Sequence, residues 1–478
     1  MINKNEILKF ASITHLRPDI IEKDYVLGWL LAGIYNHSEI NKKWIFKGGT
    51  CLKKCYFETY RFSEDLDFTL TEEAQINEAF LKSTFENIGA WIYEQTGIVI
   101  PSQGISFDIH KNPRGTISCQ GKIPYLGPIS TKAGGYPKIK LDLTADERLV
   151  LAPEEKSVYH PYSDNPMEGI KALCYVYEEV FGEKFRALAE RTRPRDLYDV
   201  VNLFRNTTIK PTSTVILHIL AQKCEFKGIP IPVLSDLERH RETLEASWIS
   251  MLNHQLPELP PLESYWNELP AIFDWLENGK EPTIPTAYPL MPGETIIRER
   301  YGEGLMIWQG AQYIEIIRFA AFNRLCVELD YRDELGNRNK RIIEPYSLRK
   351  TNENNIILHS FRGDIGQHRG YRTDRILGAR VTNKVFRPRY EIELTSTGPV
   401  ILLQTIAQAR ETSKAANTFK RVPRKQINQT TFNPLYVFQC PFCQRKFTLD
   451  KNDPKLRKHK NARKSDCPGR IGNLVRVT

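Results

Sequence analysis

Apolar residues recur along this chain with two different periods, and the places where the period changes mark its parts. Asp65 to Leu70 and Lys138 to Leu143 alternate polar with apolar side chains, the pattern of a strand with one buried face. Ile21 to Tyr35 reads as an amphipathic or buried helix, Lys43-Trp44-Ile45-Phe46 as a short strand and Thr50 to Phe57 as a short helix. From Met167 to about Arg205 the spacing is helical. Pro194, within Arg193-Pro194-Arg195, should end one helix and open the next, because proline lacks the N–H a helix interior needs. Residues 212 to 278 continue as helices with proline-rich joints. The pattern predicts an α/β head followed by a helical bundle.

A linker is expected over 281–295, opening on the proline-rich run Glu281 to Pro289. One helix follows, about Ala311 to Leu325. Strand-like stretches then come at short intervals (Cys326 to Tyr331, Arg341 to Pro345, Asn355 to Phe361, Gly378 to Val381), as in a small barrel. Residues 406–433 are polar and basic and read as a second linker, and 434–478 form a last unit. There is no internal repeat and no low-complexity tract.

At 478 residues the chain is too long for one ordinary core. No apolar run approaches the roughly 20 residues that cross a bilayer, and the polar start has no signal-like apolar stretch, so a cytoplasmic protein without membrane contact is expected. The net charge of +10 is uneven. Residues 406–478 carry 17 Lys and Arg against 4 Asp and Glu, a balance of +13 that leaves −3 for residues 1–405. A basic tail points to a polyanionic partner, although a merely solubilising tail has the same composition. Of nine cysteines, six are scattered as buried reduced thiols usually are, and Cys440, Cys443 and Cys467 lie close together.

Four ordered pieces in the head suggest chemistry. Gly48-Gly49-Thr50 follows a strand and opens a helix, where backbone N–H groups can approach a phosphate. Asp65 and Asp67 project from one strand face, and like charges held that close call for a cation. Mg²⁺ binds through such carboxylates while holding substrate phosphates, and two ions would serve the attacking hydroxyl and the leaving pyrophosphate. A bare Asp-x-Asp is also what two surface acids look like, so the company it keeps matters. Asp142, interrupting Lys138 to Leu143, is a candidate third ligand. Gly182 to Leu188, with Glu183-Lys184 and Arg186, and Arg191 to Asp199, with Arg195-Asp196-Leu197-Tyr198-Asp199, supply the cations that phosphoryl transfer needs, or else an exposed charged helix pair in which Asp196 or Asp199 caps a helix or pairs with Arg195.

In order and spacing these pieces closely resemble the AbiEii-type nucleotidyltransferase toxins of type IV toxin–antitoxin and phage-defence systems. The matching motifs are Gly48-Gly49-Thr50, a lysine-bearing helix, Arg61-Phe62-Ser63-Glu64-Asp65-Leu66-Asp67-Phe68, Glu183-Lys184 and Arg195 to Asp199, with Ile21-Glu22-Lys23-Asp24-Tyr25 similar to the family's N-terminal helix. The resemblance covers roughly residues 1–280. It implies a polymerase-β-like fold, NTP as substrate, Mg²⁺ on Asp65, Asp67 and Asp142, and catalytic roles for those three with Lys184 and Asp196. Gly48, Gly49, Thr50, Lys54, Ser63 and Lys184 are the implied nucleotide contacts. Relatives of this kind modify an RNA acceptor such as a tRNA 3′ end, and a cognate antitoxin is implied by family alone.

Residues 296–405 resemble a WYL domain, an Sm/SH3-like barrel that binds nucleotides or nucleic acid and regulates attached domains. The likeness rests on Val327 to Arg332, Ile343 to Arg349 and Gly370 to Ile376; the eponymous Trp-Tyr-Leu is here Ile356-Ile357-Leu358. Tyr346, Arg349, Arg372 and Arg375 could form a phosphate pocket, or the arginines could pair with Glu344 and Asp374. At the C-terminus, Cys440, Cys443, His459 and Cys467 have the spacing C-x₂-C-x₁₅-H-x₇-C, which suits tetrahedral zinc as a structural ion in a segment too short for a core of its own. Lys455 to Lys464 crowds basic residues between the ligands, fit for salt-dependent phosphate contacts. The expected fold class is therefore α+β and multidomain: a nucleotidyltransferase head with a helical bundle, a small β-barrel and a zinc-binding knuckle. The rival to an enzyme is a regulatory nucleic-acid-binding protein with an inactive head.

Overall fold

The computed structural model describes residues 1–57, 60–111, 115–130, 135–206, 209–283, 285–297, 313–394, 436–449, 453–460 and 465–477. It divides into two compact units, Met1–Ser413 and Lys414–Thr478. The linker expected over 406–433 lies outside the described residues, as do Ala311, Arg463 and Lys464. No helix among the described residues is long and apolar enough to cross a membrane.

The first unit is a mixed α/β structure. Helices α1 (Lys4–Thr14) and α2 (Pro18–Asn36) precede β1 (Trp44–Lys47), which turns directly into α3 (Gly48–Cys51) and a π-helical turn, Leu52–Tyr56. After β2 (Asp65–Leu70) and α4 (Glu78–Thr96) come β3 (Ser106–Lys111), β4 (Ile117–Pro124), β5 (Lys138–Thr144), β6 (Glu154–Val158) and β7 (Ile170–Cys174). These strands form one sheet in the order β3-β4-β5-β2-β1-β7-β6. β2 pairs with β5, and β1 with β7, in parallel, while the other pairings are antiparallel. On one face Leu66, Phe68 and Leu70 are buried. Trp44 packs there between Phe68 and Phe85 of α4, at ring-centroid distances of 5.5 and 6.1 Å.

Helical spacing over 167–205 was misleading at its start, because Ile170–Cys174 is strand β7. Its alternation (Ile170, Ala172 and Cys174 buried) is too short to separate from the helix that follows. That helix, α5 (Tyr177–Arg191), ends on Thr192 in the left-handed region, and α6 (Pro194–Arg205) opens with Pro194 in its first turn. The bundle continues with α7 (Ser213–Lys227), α8 (Leu234–Glu238), α9 (Arg241–Leu252), α10 (Glu263–Trp266) and α11 (Leu269–Asn278).

Helix α12 (Ile314–Phe322) leads into a second sheet, β8 (Thr295–Ile296), β9 (Leu325–Arg332), β10 (Arg338–Lys350), β11 (Ile356–Arg362), β12 (Gln367–Arg372) and β13 (Ile376–Val385). Its order is β12-β11-β10-β9-β13, with β8 also on β10. The closed barrel expected from sequence does not form, since β12 and β13 remain separate ends of the sheet. The chain beyond β13 explains this. It doubles back onto the bulge of β10, where the N–H groups of Glu393 and Leu394 donate to the Tyr346 carbonyl at 2.8 and 3.0 Å, and so does not bridge the two ends. Helix α12 also seats this sheet on the head. Phe322 packs on Phe57 and Tyr60, and the buried Asn323 side-chain oxygen accepts the hydroxyls of Tyr198 and Tyr265 at 2.8 and 2.7 Å.

In the second unit β14 (Tyr436–Gln439), β15 (Lys446–Leu449) and β16 (Asn473–Val477) form a sheet in the order β15-β14-β16. Its buried centre is Phe438, Cys440, Leu456 and Cys467.

Candidate active site

Strand alternation aims the acids of β2 and β5 away from the packed face. Leu66 and Phe68 go inward, as do Leu141 and Leu143, which leaves Asp65, Asp67 and Asp142 on the other side. The register then brings them together: Lys47 of β1 stands opposite Asp67, and Asp67 opposite Asp142. One row across three strands therefore reads Lys47, Asp67, Asp142.

The glycines are needed because the backbone passes so close to this row. Gly48 has φ +81°, and a Cβ there would lie 2.1 Å from Asp67 Oδ2. A Cβ on Gly49 would meet the Arg61 guanidinium at 2.5 Å and Ser63 Oγ at 3.1 Å. The Thr50 hydroxyl donates to the Asp65 carbonyl at 2.5 Å and ties the turn to β2.

Opposite the acids, α5 and α6 present cations held in place by buried carboxylates. Lys184 Nζ lies 2.8 Å from Asp199 and 3.7 Å from Asp196. Asp196 accepts both nitrogens of an Arg191 fork at 2.7 and 2.9 Å. Asp199 also accepts the Tyr60 hydroxyl and a bidentate Arg61, itself donating to Gln255. Burial favours a neutral Asp199, but Arg61 and Lys184 outweigh it and hold the carboxyl well below its usual range. Lys47 sits 3.3 Å from Glu183 and 3.6 Å from Glu147, and Lys223 is 3.3 Å from Glu183. A cavity of about 170 Å³ lies between the two sides, lined among others by Lys47, Gly48, Asp67, Lys184, Arg186 and Arg191.

The electrostatics of the acidic face suit a divalent cation. Burial, and then Asp142, push the Asp67 carboxyl up to about 6, against the pull of Lys47 and Lys184. Asp142 is likewise raised by burial and by Asp65. Carboxylates that resist ionising together are relieved by a cation between them. Among the described residues, the groups that draw three or more ligand atoms within 4.8 Å of one another are thiol-based, so the acidic trio is more open. Mg²⁺ fits such openness, since it uses one or two carboxylates and completes its shell with water and phosphate. Acids for a cation on one wall and fixed cations for phosphates on the other are the two requirements of nucleotidyl transfer.

Comparison with known families bears on the same residues. The family model described as nucleotidyl transferase AbiEii toxin, type IV TA system, matches residues 29–278, more than half of the chain. The chain belongs to the AbiEii family. It is thus a nucleotidyltransferase of the toxin class, and its matched segment carries every residue of the site just described. The WYL domain model matches residues 312–381. Among solved structures, the chain is similar to the nucleotidyltransferase toxin MenT4 of Mycobacterium tuberculosis H37Rv, at 18% identity and a TM-score of 0.36 over 58% of this chain and 90% of that one. A second likeness is to proteasome accessory factor B/C of Arthrobacter aurescens, at 13% identity and a TM-score of 0.15 over 54% of this chain and 36% of that one. The family match carries the assignment, not these remote likenesses. No curated protein matches the chain.

Within the AbiEii head, Gly48, Asp67 and Lys184 line the cavity, Asp65 and Asp142 share the strand face of Asp67, Asp196 lies 3.7 Å from Lys184, Gly49 packs against Arg61 and Ser63, and Thr50 is tied to β2. Lys54 does not join them. It is buried against α2, where Nζ meets Asp24 at 2.7 Å, an acid that also accepts the Tyr162 hydroxyl. Lys47, Glu147, Arg186, Arg191, Arg61 and Asp199 complete the site; all but Glu147 stand within or beside the motifs read from sequence, although none of them was put forward there as a site residue.

The four residues grouped as a WYL pocket each engage partners within the domain and the segment before it. Arg349 is fully buried and spends its guanidinium on Ser347, Glu294, Glu393 and the carbonyls of Tyr288 and Pro289, which pins the segment 288–294 to β10. Tyr346 is buried and donates to Glu344. Arg372 pairs with Asp374 and Arg375 with Glu334. The pairing with Asp374 weighed from sequence is present, and Arg349 is structural through other partners.

In the second unit Cys440, Cys443, His459 and Cys467 do converge, with all four ligand atoms within 4.8 Å. The Cys440–Cys467 sulfur separation is 3.7 Å, and Cys443 Sγ lies 3.2 Å from His459 Nε2. Tetrahedral ligands at the usual Zn–S distance stand about 3.8 Å apart. His459 Nδ1 lies 2.9 Å from the Arg457 carbonyl, the kind of contact that orients a ligating imidazole. A Cβ on Gly469 would lie 2.3 Å from Cys440 Sγ, so this site too depends on a glycine. Three of the cysteines read as scattered, Cys51, Cys55 and Cys174, also gather in the core of the head with their sulfurs within 4.8 Å.

Proposed function

We propose that this AbiEii protein is a Mg²⁺-dependent, polymerase-β-like transferase that moves a nucleoside monophosphate from an NTP onto an RNA acceptor, a tRNA 3′ end being the acceptor the family resemblance favours. The observation that carries this is the row Lys47, Asp67, Asp142, whose Lys47 and Asp67 line one cavity together with Lys184 and Arg191. Asp65, Asp67 and Asp142 would hold Mg²⁺, which when bound supplies charge neutralisation at the triphosphate and a more acidic attacking hydroxyl. Lys184 and Arg191, braced by Asp199 and Asp196, would meet the triphosphate oxygens as pyrophosphate leaves. Gly48 and Gly49 let the backbone approach the phosphates, with Thr50 and Ser63 beside them. Tyr60 touches both Phe322 of α12 and Asp199, and Tyr198 beside it bonds Asn323 just after that helix, which supports a regulatory role for the WYL module. A structural zinc ion on Cys440, Cys443, His459 and Cys467 would fold the basic tail for nucleic-acid contact, and a cognate antitoxin would be the inhibitor.

The test incubates the full chain with each labelled NTP, Mg²⁺ and total RNA, beside an Asp65→Ala/Asp67→Ala variant. Label in RNA that vanishes in the variant is the expected result. Transfer to protein or to a small molecule alone would overturn the RNA assignment, and no transfer to any acceptor would remove the reading altogether.

A further inference from the structure

The strands beyond Asp142 carry lysines that no ion pair accounts for. Cross-strand register on β3, β4, β5 and β2 sets Ser106, Lys122, Lys140 and Asp65 in one row, and Asp108, Gln120, Asp142 and Asp67 in the next. Lys138, two residues before Lys140, points the same way beside Pro124. Lys122, Lys138 and Lys140 are all exposed, whereas Ile123, Ile139 and Leu141 between them are buried. They therefore lie on the face that carries the acids, one step further out.

Two features make this more than a solvated edge. Lys122 stands directly opposite Lys140, and like charges in that position destabilise a strand pair. Some lysines elsewhere in the head meet carboxylates, as Lys43 does Glu72, Lys82 Glu78, Lys156 Glu154 and Lys171 Glu155. Exposed Lys4, Lys9, Lys42 and Lys111 have no ion pair among the described residues, so what sets the strand lysines apart is that they line up on one face leading to the acids. None of the three strand lysines lies within ion-pair distance of a carboxylate among the described residues. On these two rows Asp108 is the one acid besides the catalytic trio. At about 3.3 Å per residue, Lys138 lies roughly 13 Å along β5 from Asp142, so the three charges form a short track that ends at the acids.

We propose that Lys122, Lys138 and Lys140 bind the phosphodiester backbone of the acceptor RNA and guide its end to Asp65 and Asp142. This deepens the proposed function and rests on it for the identity of the acceptor. Phosphates neutralise the repulsion between Lys122 and Lys140 and release counterions from the strand, so the contact gives affinity and salt dependence without reading sequence.

The experiment uses the full chain and a Lys122→Gln/Lys138→Gln variant, leaving Lys140 in place because it neighbours Asp65 and Asp142. Binding of a fluorescent single-stranded RNA oligonucleotide is followed by anisotropy from 50 to 300 mM salt, and acceptor and NTP KM are measured on RNA transfer. Each phosphate contact contributes about 0.7 to the slope of log K against log salt on a single strand, so the variant slope should be shallower by about 1.4. Any share that the basic tail adds is common to both proteins and cancels. Acceptor KM should rise several-fold with NTP KM unchanged, and the thermal midpoint should not fall. An unchanged slope, or an NTP KM that rises in step, overturns the track. A wild type that binds RNA with the expected difference in slope but transfers nothing to it would overturn the proposed function and leave the track standing.

Discussion

Replacing Asp67 by asparagine should stabilise the cation-free protein, although it removes a residue of the active site. The Asp67 carboxyl is raised from 3.8 to about 6 by burial and by Asp142. Between those values the folded chain holds a proton that the unfolded chain gives up, so folding becomes less favourable as the pH rises through that window. Above pH 6 the penalty is complete. Two units at 1.36 kcal/mol each come to about 3 kcal/mol as the upper value. Asp67→Asn keeps the shape and removes the charge. It should therefore gain up to about 3 kcal/mol over the wild type at pH 8 and nothing near pH 4. Saturating Mg²⁺ should narrow the gap from the other side, since a ligand at 100 times its Kd stabilises the state that binds it by about 2.7 kcal/mol. Urea denaturation followed by tryptophan fluorescence is the assay. The second unit, Lys414–Thr478, contains no tryptophan, so EDTA can be used without the zinc-binding unit confusing the signal. An Asp67→Asn variant no more stable than the wild type at pH 8 in EDTA would refute the claim that these carboxylates strain one another in wait for a cation.

Asp199→Ala should lower stability by about 3–5 kcal/mol, because Arg61 and Lys184 are left buried without their partner; a urea midpoint equal to wild type would show that the cluster is not the brace of the site. Lys54→Met should destabilise the head by stranding Asp24, yet leave the KM for NTP of the folded enzyme unchanged. A raised KM would return Lys54 to the nucleotide site. Cys440→Ser should cost one zinc equivalent per chain by metal analysis and loosen strands β14 to β16, with no shift in the tryptophan-monitored transition. Zinc content unaffected by the substitution would exclude Cys440 as a ligand.

Local sequence determined the faces of this protein. Alternation at Asp65-Leu66-Asp67-Phe68 and along Lys138 to Leu143 reveals which side chains leave the core, since a strand has a period of two wherever it pairs. The cysteine and histidine spacing at the C-terminus announces a converging set for the same reason, the tight turn at Cys440 to Cys443 being a local matter. Only the tertiary structure decided which faces meet. That Asp67 stands opposite both Lys47 and Asp142 is a fact of register across β1, β2 and β5, and strand pairing over some 75 residues leaves no mark on either segment alone. Partner choice decided the cations as well: Lys54 is drawn to Asp24 and Arg349 to the carbonyls of the interdomain segment, so neither is left free for phosphate. Ile170–Cys174 became a strand because β6 pairs with it along its length and β1 meets it at Cys174, and the second sheet stayed open because the chain after β13 returned to β10. In each case a long-range hydrogen-bond or charge partner, which local periodicity does not encode, settled what the residue does.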